Sequence, residues 1–312
     1  MTPTDETPDA TSPTWASAVT AKPNSELAPT GFADLDTLTG GGLRPGTLTV
    51  IASRPGMGRT TLLHDICRHN AIRNSRATML TTLEESREDV VTRFLSAETR
   101  VPRHQLLAGT IDKAAWERLS QQMKAMEGAP LVIDAPPSTT AADIAGKATE
   151  LVAQHGTRLI AIDGIQDIQP ERRNDLRERE VGDVVRDLKA LARELQVPVV
   201  ATAHLNRSPE QRIDKRPRLD DLRESGAITF SADLLVLLHR EDYYDRESPR
   251  AGEADLIIAK HRYGPTAVLT VGFQGHYSRF IDISSDDIRP PRPTRPGAGF
   301  SDLFGAGSEG VS

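Results

Sequence analysis

Thr47-Leu48-Thr49-Val50-Ile51-Ala52-Ser53-Arg54-Pro55-Gly56-Met57-Gly58-Arg59-Thr60-Thr61 is the stretch on which the reading of this chain turns. Its first residues, apolar or β-branched, predict a buried strand over 47–53, and the glycines after it predict a tight turn. From Thr60 to about Asn74 the apolar residues recur at helical spacing. A strand, a glycine-bearing turn and a helix in that order converge backbone N–H groups and the positive end of a helix dipole on one anion. The stretch therefore reads as a phosphate-binding loop from Ser53 to Thr61. It departs from the G-x-x-x-x-G-K-[ST] pattern twice: Ser53 stands at the first glycine and Arg59 at the lysine.

Outward from the loop, apolar strand-like runs alternate with helical ones. Strands are predicted at 77–82, 131–134, 159–163 and 198–203, and the clearest helix over 177–195. There Val181, Val184, Val185, Leu188, Leu191, Ala192 and Leu195 share one face. Near-continuous apolar strands alternating with helices imply an α/β fold with a mostly parallel sheet flanked by helices. After residue 203 the runs 234–239, 255–260, 266–273 and 279–283 are joined by short turns and predict a C-terminal antiparallel extension. Residues 1–28, rich in Thr, Pro and Ser without periodicity, and 284–312, rich in Pro, Arg and Gly, read as disordered tails around one domain at 29–283.

Composition narrows the function classes. With 312 residues, 38% of them hydrophobic, the chain can bury a large core, and a net charge of −6 leaves any nucleic-acid contact to a local basic patch. The single cysteine, Cys67, excludes an intramolecular disulfide and a thiolate zinc cluster and fits a reducing, cytoplasmic setting. No apolar run approaches the ~18 residues of a membrane span.

Four further segments carry chemistry. Glu84 and Glu85 follow a predicted strand, where α/β proteins place ligand-facing groups; one of them polarises an attacking water, or both are ordinary first-turn helix residues. Arg158-Leu159-Ile160-Ala161-Ile162-Asp163 is an apolar strand ending in an acid, the form of a Walker B element that holds Mg²⁺, although Leu131-Val132-Ile133-Asp134 has the same form. Arg207, Arg212, Lys215, Arg216 and Arg218 form a basic loop that either attracts a phosphate backbone or is simply solvated. Lys260 and Arg262, two residues apart by a turn, point to one side of a strand and reach a phosphate in cis or in a neighbouring subunit, or form surface ion pairs.

Together these segments resemble the C-terminal ATPase domain of the DnaB-type replicative helicases. The resemblance runs in order from Thr30-Gly31-Phe32 through the phosphate loop, Thr82-Leu83-Glu84-Glu85-Ser86, Ile162-Asp163-Gly164-Ile165-Gln166 and Leu205-Asn206-Arg207-Ser208. It continues through Asp221-Leu222-Arg223-Glu224-Ser225-Gly226, His239-Arg240-Glu241-Asp242-Tyr243-Tyr244 and the run from Lys260 to Thr266. It implies a RecA-like fold in a homo-oligomeric ring, usually a hexamer, with ATP and Mg²⁺ between subunits and single-stranded DNA through the centre. Other replication proteins would be further partners. By resemblance, Thr60 and Asp163 bind Mg²⁺, Glu84 activates water, His204 lies near the γ-phosphate, and Arg262 with Lys260 completes the neighbour's site. DNA contacts would come from the basic loop and from Arg223, Glu224 and Gly226.

Against the family pattern, Arg59 replaces the loop lysine, and no lysine lies between Lys22 and Lys113. His204 replaces a glutamine, and the short stretch before Pro29 leaves no room for the family's N-terminal helical domain. The expected function is a DNA-dependent ATPase that translocates on single-stranded DNA; the alternative is a nucleotide- and DNA-binding accessory module with little turnover.

Overall fold

The computed structural model of the chain describes residues 26–171, 174 and 176–283, the last range without the side chains of 223–225. The strands are β1 Leu48–Ser53, β2 Thr78–Thr82, β3 Leu131–Asp134, β4 Leu159–Asp163, β5 Val199–His204, β6 Leu234–His239, β7 Glu253–His261, β8 Ala267–Gln274 and β9 Arg279–Asp282. The helices are α1 Ala33–Thr39, α2 Arg59–Arg68, α3 Arg87–Thr99, α4 Arg103–Ala108, α5 Lys113–Glu127, α6 Ala141–His155, α7 Arg177–Leu195, α8 Ser208–Gln211 and α9 Gly226–Ser231. Each strand read from the sequence is present, its ends displaced by no more than two residues.

The strands form one sheet in the order β3-β2-β4-β5-β1-β6-β7-β8-β9. β1 to β6 pair in parallel, and β7, β8 and β9 add antiparallel. The sequence reading placed 234–239 in the antiparallel extension; instead β6 is the junction, parallel to β1 on one side and antiparallel to β7 on the other. The short turns around it could not disclose this, because strand direction is set by the partner and not by the turn.

β1 sits between β5 and β6 and is buried along its whole length. Its side chains alternate between two cores, as a strand covered on both faces must. Leu48, Val50 and Ala52 pack with Ile144 of α6 and Val184, Val185 and Leu188 of α7. Ile51 packs on the other face with Leu62, Leu63 and Ile66 of α2 and Phe94 of α3. Each such side chain contributes about 1.5–3 kcal/mol of apolar burial, and truncating one to alanine costs roughly 2–5 kcal/mol.

α7 covers the predicted 177–195 and ends at Gln196, whose left-handed backbone turns the next N–H, that of Val197, to the Ala192 carbonyl. α2 is shorter than the predicted 60–74 and continues as one wider turn over His69–Arg73. Ala28, the last residue of the predicted N-terminal tail, is fully buried and bridges Leu43 in the fold. The rest of both predicted tails lies outside the described residues, apart from 26 and 27.

Charged groups fasten α2 to its neighbours inside the core. Asp65 accepts a 2.6 Å hydrogen bond from the Phe280 N–H of β9, and Arg68 bonds both Asp65 and Glu98 of α3. Beside them His64 is buried edge-on to Phe94, ring centroids 5.3 Å apart. Burial pushes Asp65 up to about 6 against the pull of Arg68. Burial, reinforced by the charges of Arg93 and Arg68, pushes His64 down to about 3.

The two groups act on stability with opposite signs. The depressed His64 contributes stability that is complete above its ordinary value of 6.5 and is lost as the pH falls toward 3. The raised Asp65 contributes stability that is complete below 3.8 and is lost as the pH rises through 6. Acidification from about pH 7.5 to about pH 5 therefore costs roughly 2 kcal/mol at His64 alone. In His64→Leu that cost disappears, so the melting temperature of the variant gains on wild type as the pH is lowered. A pH-independent difference between the two melting curves would contradict a buried neutral imidazole.

Candidate nucleotide site

The loop from Ser53 to Thr61 leaves the C-terminal end of β1 and opens α2, beside the C-terminal ends of β2, β4 and β5. Gly56 and Gly58 both adopt left-handed backbone, φ 80° and 102°. Neither has room for a side chain: an added Cβ would lie 2.6 Å from the Tyr243 ring at Gly56 and 2.9 Å from the Phe280 ring at Gly58. Ser53 needs no such freedom. It is the last residue of β1, paired with His204 of β5, and its hydroxyl donates to the Arg54 carbonyl at 2.8 Å. Replacing the usual first glycine therefore costs the backbone nothing. Met57 is buried beneath the turn.

A cavity of about 370 Å³ opens over the loop, lined by Ser53, Arg54, Pro55, Gly56, Gly58, Arg59, Thr60 and Thr61 together with Glu84, Glu85, Arg93, His204, Phe273, Gly275 and Ser278. Arg59 is 6% exposed and reaches across it. Its Nη2 donates to Glu84 Oε1 and lies 3.1 Å from His204 Nε2, while Glu84 Oε1 is 3.3 Å from the same imidazole nitrogen. The contact with His204, followed by the charge of Arg59, holds the Glu84 carboxyl below the usual carboxylate range, against the opposing effect of burial. Glu84 is thus ionised at neutral pH and engaged by Arg59.

Of the two adjacent carboxylates, the structure directs Glu84 to the loop. Glu85 is gripped by both ends of the Arg93 guanidinium, Nε at 2.8 Å, and is occupied by that pair. Of the two apolar strands ending in an acid, β4 lies next to β5 and brings Asp163 under the loop, whereas β3 is the sheet edge and Asp134 pairs with Lys147. Asp163 is fully buried; its Oδ1 accepts from Thr202 Oγ1 at 2.6 Å, and its Oδ2 has no hydrogen-bond partner among the described residues. Burial raises its carboxyl above the usual range, partly offset by the Thr202 and Thr60 hydroxyls.

His204 is fixed through its backbone. Gln166 accepts from the His204 N–H at 3.2 Å and donates to its carbonyl at 3.3 Å, acting as a short substitute strand. Glu84, Asp167 and His204 bring one ligand atom each within 4.8 Å of one another, yet Arg59 already supplies a cation at Glu84. The Arg54 side chain turns away to Glu210 and the Leu205 carbonyl, so it meets the cavity as loop wall. Tyr243, Arg93 and Phe273 were missed by sequence reasoning. Phe273 stacks under Arg240 at 3.7 Å, and these contacts arrive from distant segments with no local signal.

Lys260 and Arg262 lie at the other edge of the sheet. The N-terminal end of β6 pairs with the end of β7, and Arg262 Nε meets Asp233 Oδ1 at 2.9 Å just before β6. The loop is the length of β1 away, ~17 Å at 3.3 Å per residue, which excludes the cis reading. Lys260 Nζ donates to the Thr229 and Phe230 carbonyls of α9, at 2.7 and 3.0 Å.

The basic loop is less free than its composition suggested. Arg212 is held bidentately by the buried Asp221, and Arg216 pairs with the buried Asp255 at 2.9 Å. Lys215 donates to the Glu210 carbonyl, and Arg218 pairs with Asp214. Arg212, Lys215 and Arg216, read from the sequence as DNA contacts, are thus engaged with carboxylates and carbonyls of their own chain. Arg207 is exposed, and its guanidinium has no partner among the described residues. Gly226 opens α9 with its Cα close to Glu178, and the side chains of Arg223 and Glu224 lie outside those described.

A family model described as the DnaB-like helicase C-terminal domain matches residues 28–282. The chain belongs to this family. It is 46% identical over 256 residues to the replicative DNA helicase DnaB of Leifsonia xyli subsp. xyli, covering 82% of this chain and 56% of that protein. It is 37% identical over 273 residues to the replicative DNA helicase DnaC of Bacillus subtilis strain 168, covering 86% and 59%. Among solved structures, the ATPase domain of G40P matches with a TM-score of 0.81 at 32% identity, over 86% of this chain and 96% of that one. A DnaB-like replicative helicase solved with regard to its interactions with primase matches at 0.82 and 31%, over 86% and 65%. The chain thus spans a little over half the length of these curated relatives. The fold of this DnaB-like domain is RecA-like, as its sheet order and structural neighbours agree.

The loop geometry has a direct consequence. Gly58→Ala combines a strained left-handed backbone with the Phe280 clash and is expected to weaken binding of a fluorescent adenine nucleotide by about tenfold or more. Ser53→Gly is expected to bind as wild type. Equal binding by both variants would show that the two glycines do not shape the site.

Proposed function

We propose that this DnaB-like domain is the ATP-hydrolysing motor of a ring helicase that moves on single-stranded DNA in replication. The reading rests on one observation: Arg59, Thr60, Glu84, Asp163 and His204 converge at one edge of the sheet, while Lys260 and Arg262 occupy the opposite edge. A cation pair that cannot serve its own loop is placed to serve a neighbour's, so the site is complete only between subunits.

The orphaned polar atoms fit a nucleotide with its metal. Arg59 Nε and Nη1 are buried without hydrogen-bond partners among the described residues and would take phosphate oxygens, and Asp163 Oδ2 beside Thr60 would hold Mg²⁺. Mg²⁺, when bound, would neutralise charge on the transferred phosphate. The backbone N–H groups of the loop would cradle the β-phosphate. Glu84 would accept a proton from the attacking water, and His204 would donate toward the γ-phosphate. Lys260 and Arg262 of the adjoining subunit would stabilise the charge that develops on transfer. Arg207 and the segment from Arg223 to Gly226 would meet the DNA, with a hexameric ring in the cytoplasm as the assembly. No described helix is long and apolar enough to cross a membrane.

The Arg59–Glu84 pair favours a second reading, an accessory module with slow turnover. Glu84 cannot take a proton from water while Arg59 neutralises it, so an entering phosphate must draw the guanidinium away. A lysine at 59 offers no planar fork to share between carboxylate and phosphate.

Steady-state ATP hydrolysis with and without single-stranded DNA separates the readings. Wild type is expected to turn over faster with DNA, and Glu84→Gln to lose about 10²–10⁴-fold. Arg59→Lys is expected to raise DNA-independent turnover several-fold by releasing Glu84, whereas a fall would mean that the site depends on the guanidinium. Absence of DNA-stimulated turnover above the Glu84→Gln background would overturn the motor reading in favour of the accessory module.

A further inference from the structure

Asp233 lies between α9 and β6 and is buried. Its Oδ2 accepts from Leu48 N–H at 2.9 Å and from Lys189 Nζ of α7 at 2.5 Å, and its Oδ1 meets Arg262 Nε at 2.9 Å. The backbones repeat the linkage: Asp233 N–H donates to the Leu48 carbonyl, and Arg262 N–H donates to the Asp233 carbonyl, both at 2.8 Å. Arg262 is thereby held by a main-chain hydrogen bond and by an ion pair at Nε that lacks the angle of a hydrogen bond. Its terminal Nη groups are bound by no other described residue, and half of the side chain is exposed. A guanidinium paired through its Nε side leaves the Nη pair open, the donors that bind phosphate oxygens bidentately.

We infer that Asp233 is the positioning residue of Arg262: it aims the guanidinium out of the sheet edge at a phosphate bound by the next subunit. The inference rests on the proposed inter-subunit role of Arg262. Lys189 balances the buried carboxylate charge, so Asp233 can hold the arginine without quenching it. Because Asp233 also grips Leu48, the first residue of β1, the aim of the guanidinium is referenced to the strand that carries the phosphate loop of its own chain.

The test compares ATP hydrolysis by wild type, Arg262→Ala, Asp233→Asn and the double variant in the full chain, with mixed oligomers as the discriminating measurement. Arg262→Ala is expected to lower kcat by about 10³-fold or more. Asp233→Asn is expected to lower kcat by roughly 10–100-fold with KM for ATP within about threefold, as a misaimed but intact group would. The double variant is expected to be no slower than Arg262→Ala. Mixing Asp233→Asn with Glu84→Gln chains is expected to restore turnover. The Glu84→Gln chain supplies a correctly held Arg262 to the intact loop of the Asp233→Asn chain. Damage confined to the Asp233→Asn chain's own site would not be rescued this way.

If Arg262→Ala keeps wild-type kcat, the inter-subunit role itself fails, whatever Asp233 does. If Arg262→Ala is slow but Asp233→Asn is not, or its loss adds to that of Arg262→Ala, or mixing restores nothing, the positioning role is overturned. Should circular dichroism show Asp233→Asn unfolded, Asp233→Glu carries the same comparison. It keeps the charge opposite Lys189 and moves the carboxylate by one methylene, so it is expected to lose kcat and recover it on mixing.

Discussion

Parallel pairing of β1 with β5 and β6 buries that strand on both faces and gives it two functional ends. At its C-terminal end the chain must turn sharply into α2, and the turn is the phosphate loop. At its N-terminal end the Leu48 peptide is bound on both sides by Asp233, which holds Arg262. Buried backbone groups must find partners, so β1 cannot shift against β5 and β6 without breaking a ladder in the middle of the sheet. A strand so fixed separates the two ends by a constant length. The loop and the Arg262 guanidinium of one chain are therefore held apart by the length of β1.

Electrostatics at the loop edge follow from one substitution. A guanidinium at position 59 has more hydrogen-bond donors than a lysine ammonium, and it takes Glu84 with one of its nitrogens while two others remain orphaned and buried. The contact with His204, and then the charge of Arg59, keep Glu84 ionised, while burial pushes the Asp163 carboxyl the other way. Two carboxylates near one loop thus have opposed environments, one partly solvated and paired, the other dry with a free oxygen. That division matches a proton acceptor beside a metal ligand.

Charge pairing also explains why the loop after β5 is built as it is. Arg212 and Arg216 reach the buried Asp221 and Asp255; removing Arg212 would leave Asp221 without its guanidinium, whereas Asp255 would keep Arg250. Counting its cations overstated the charge available for a nucleic acid. The sequence shows how many arginines a loop has, but only the fold shows which carboxylates lie beneath them.

The elements of this protein were legible locally. Alternation and apolar runs located each strand, and helical spacing gave α7 residue for residue, because burial on a period of two or 3.6 leaves its imprint on neighbouring positions. The ordered motifs around Gly56, Glu84 and Asp163 were sufficient for the resemblance to its family. Tertiary structure decided what depends on residues far apart in the chain. It chose Glu84 over Glu85 through Arg93, chose Asp163 over Asp134 through strand order, and made β6 a parallel neighbour of β1. It also carried Arg262 to the edge away from the loop, since strand direction and partner order are long-range pairings that no local pattern encodes.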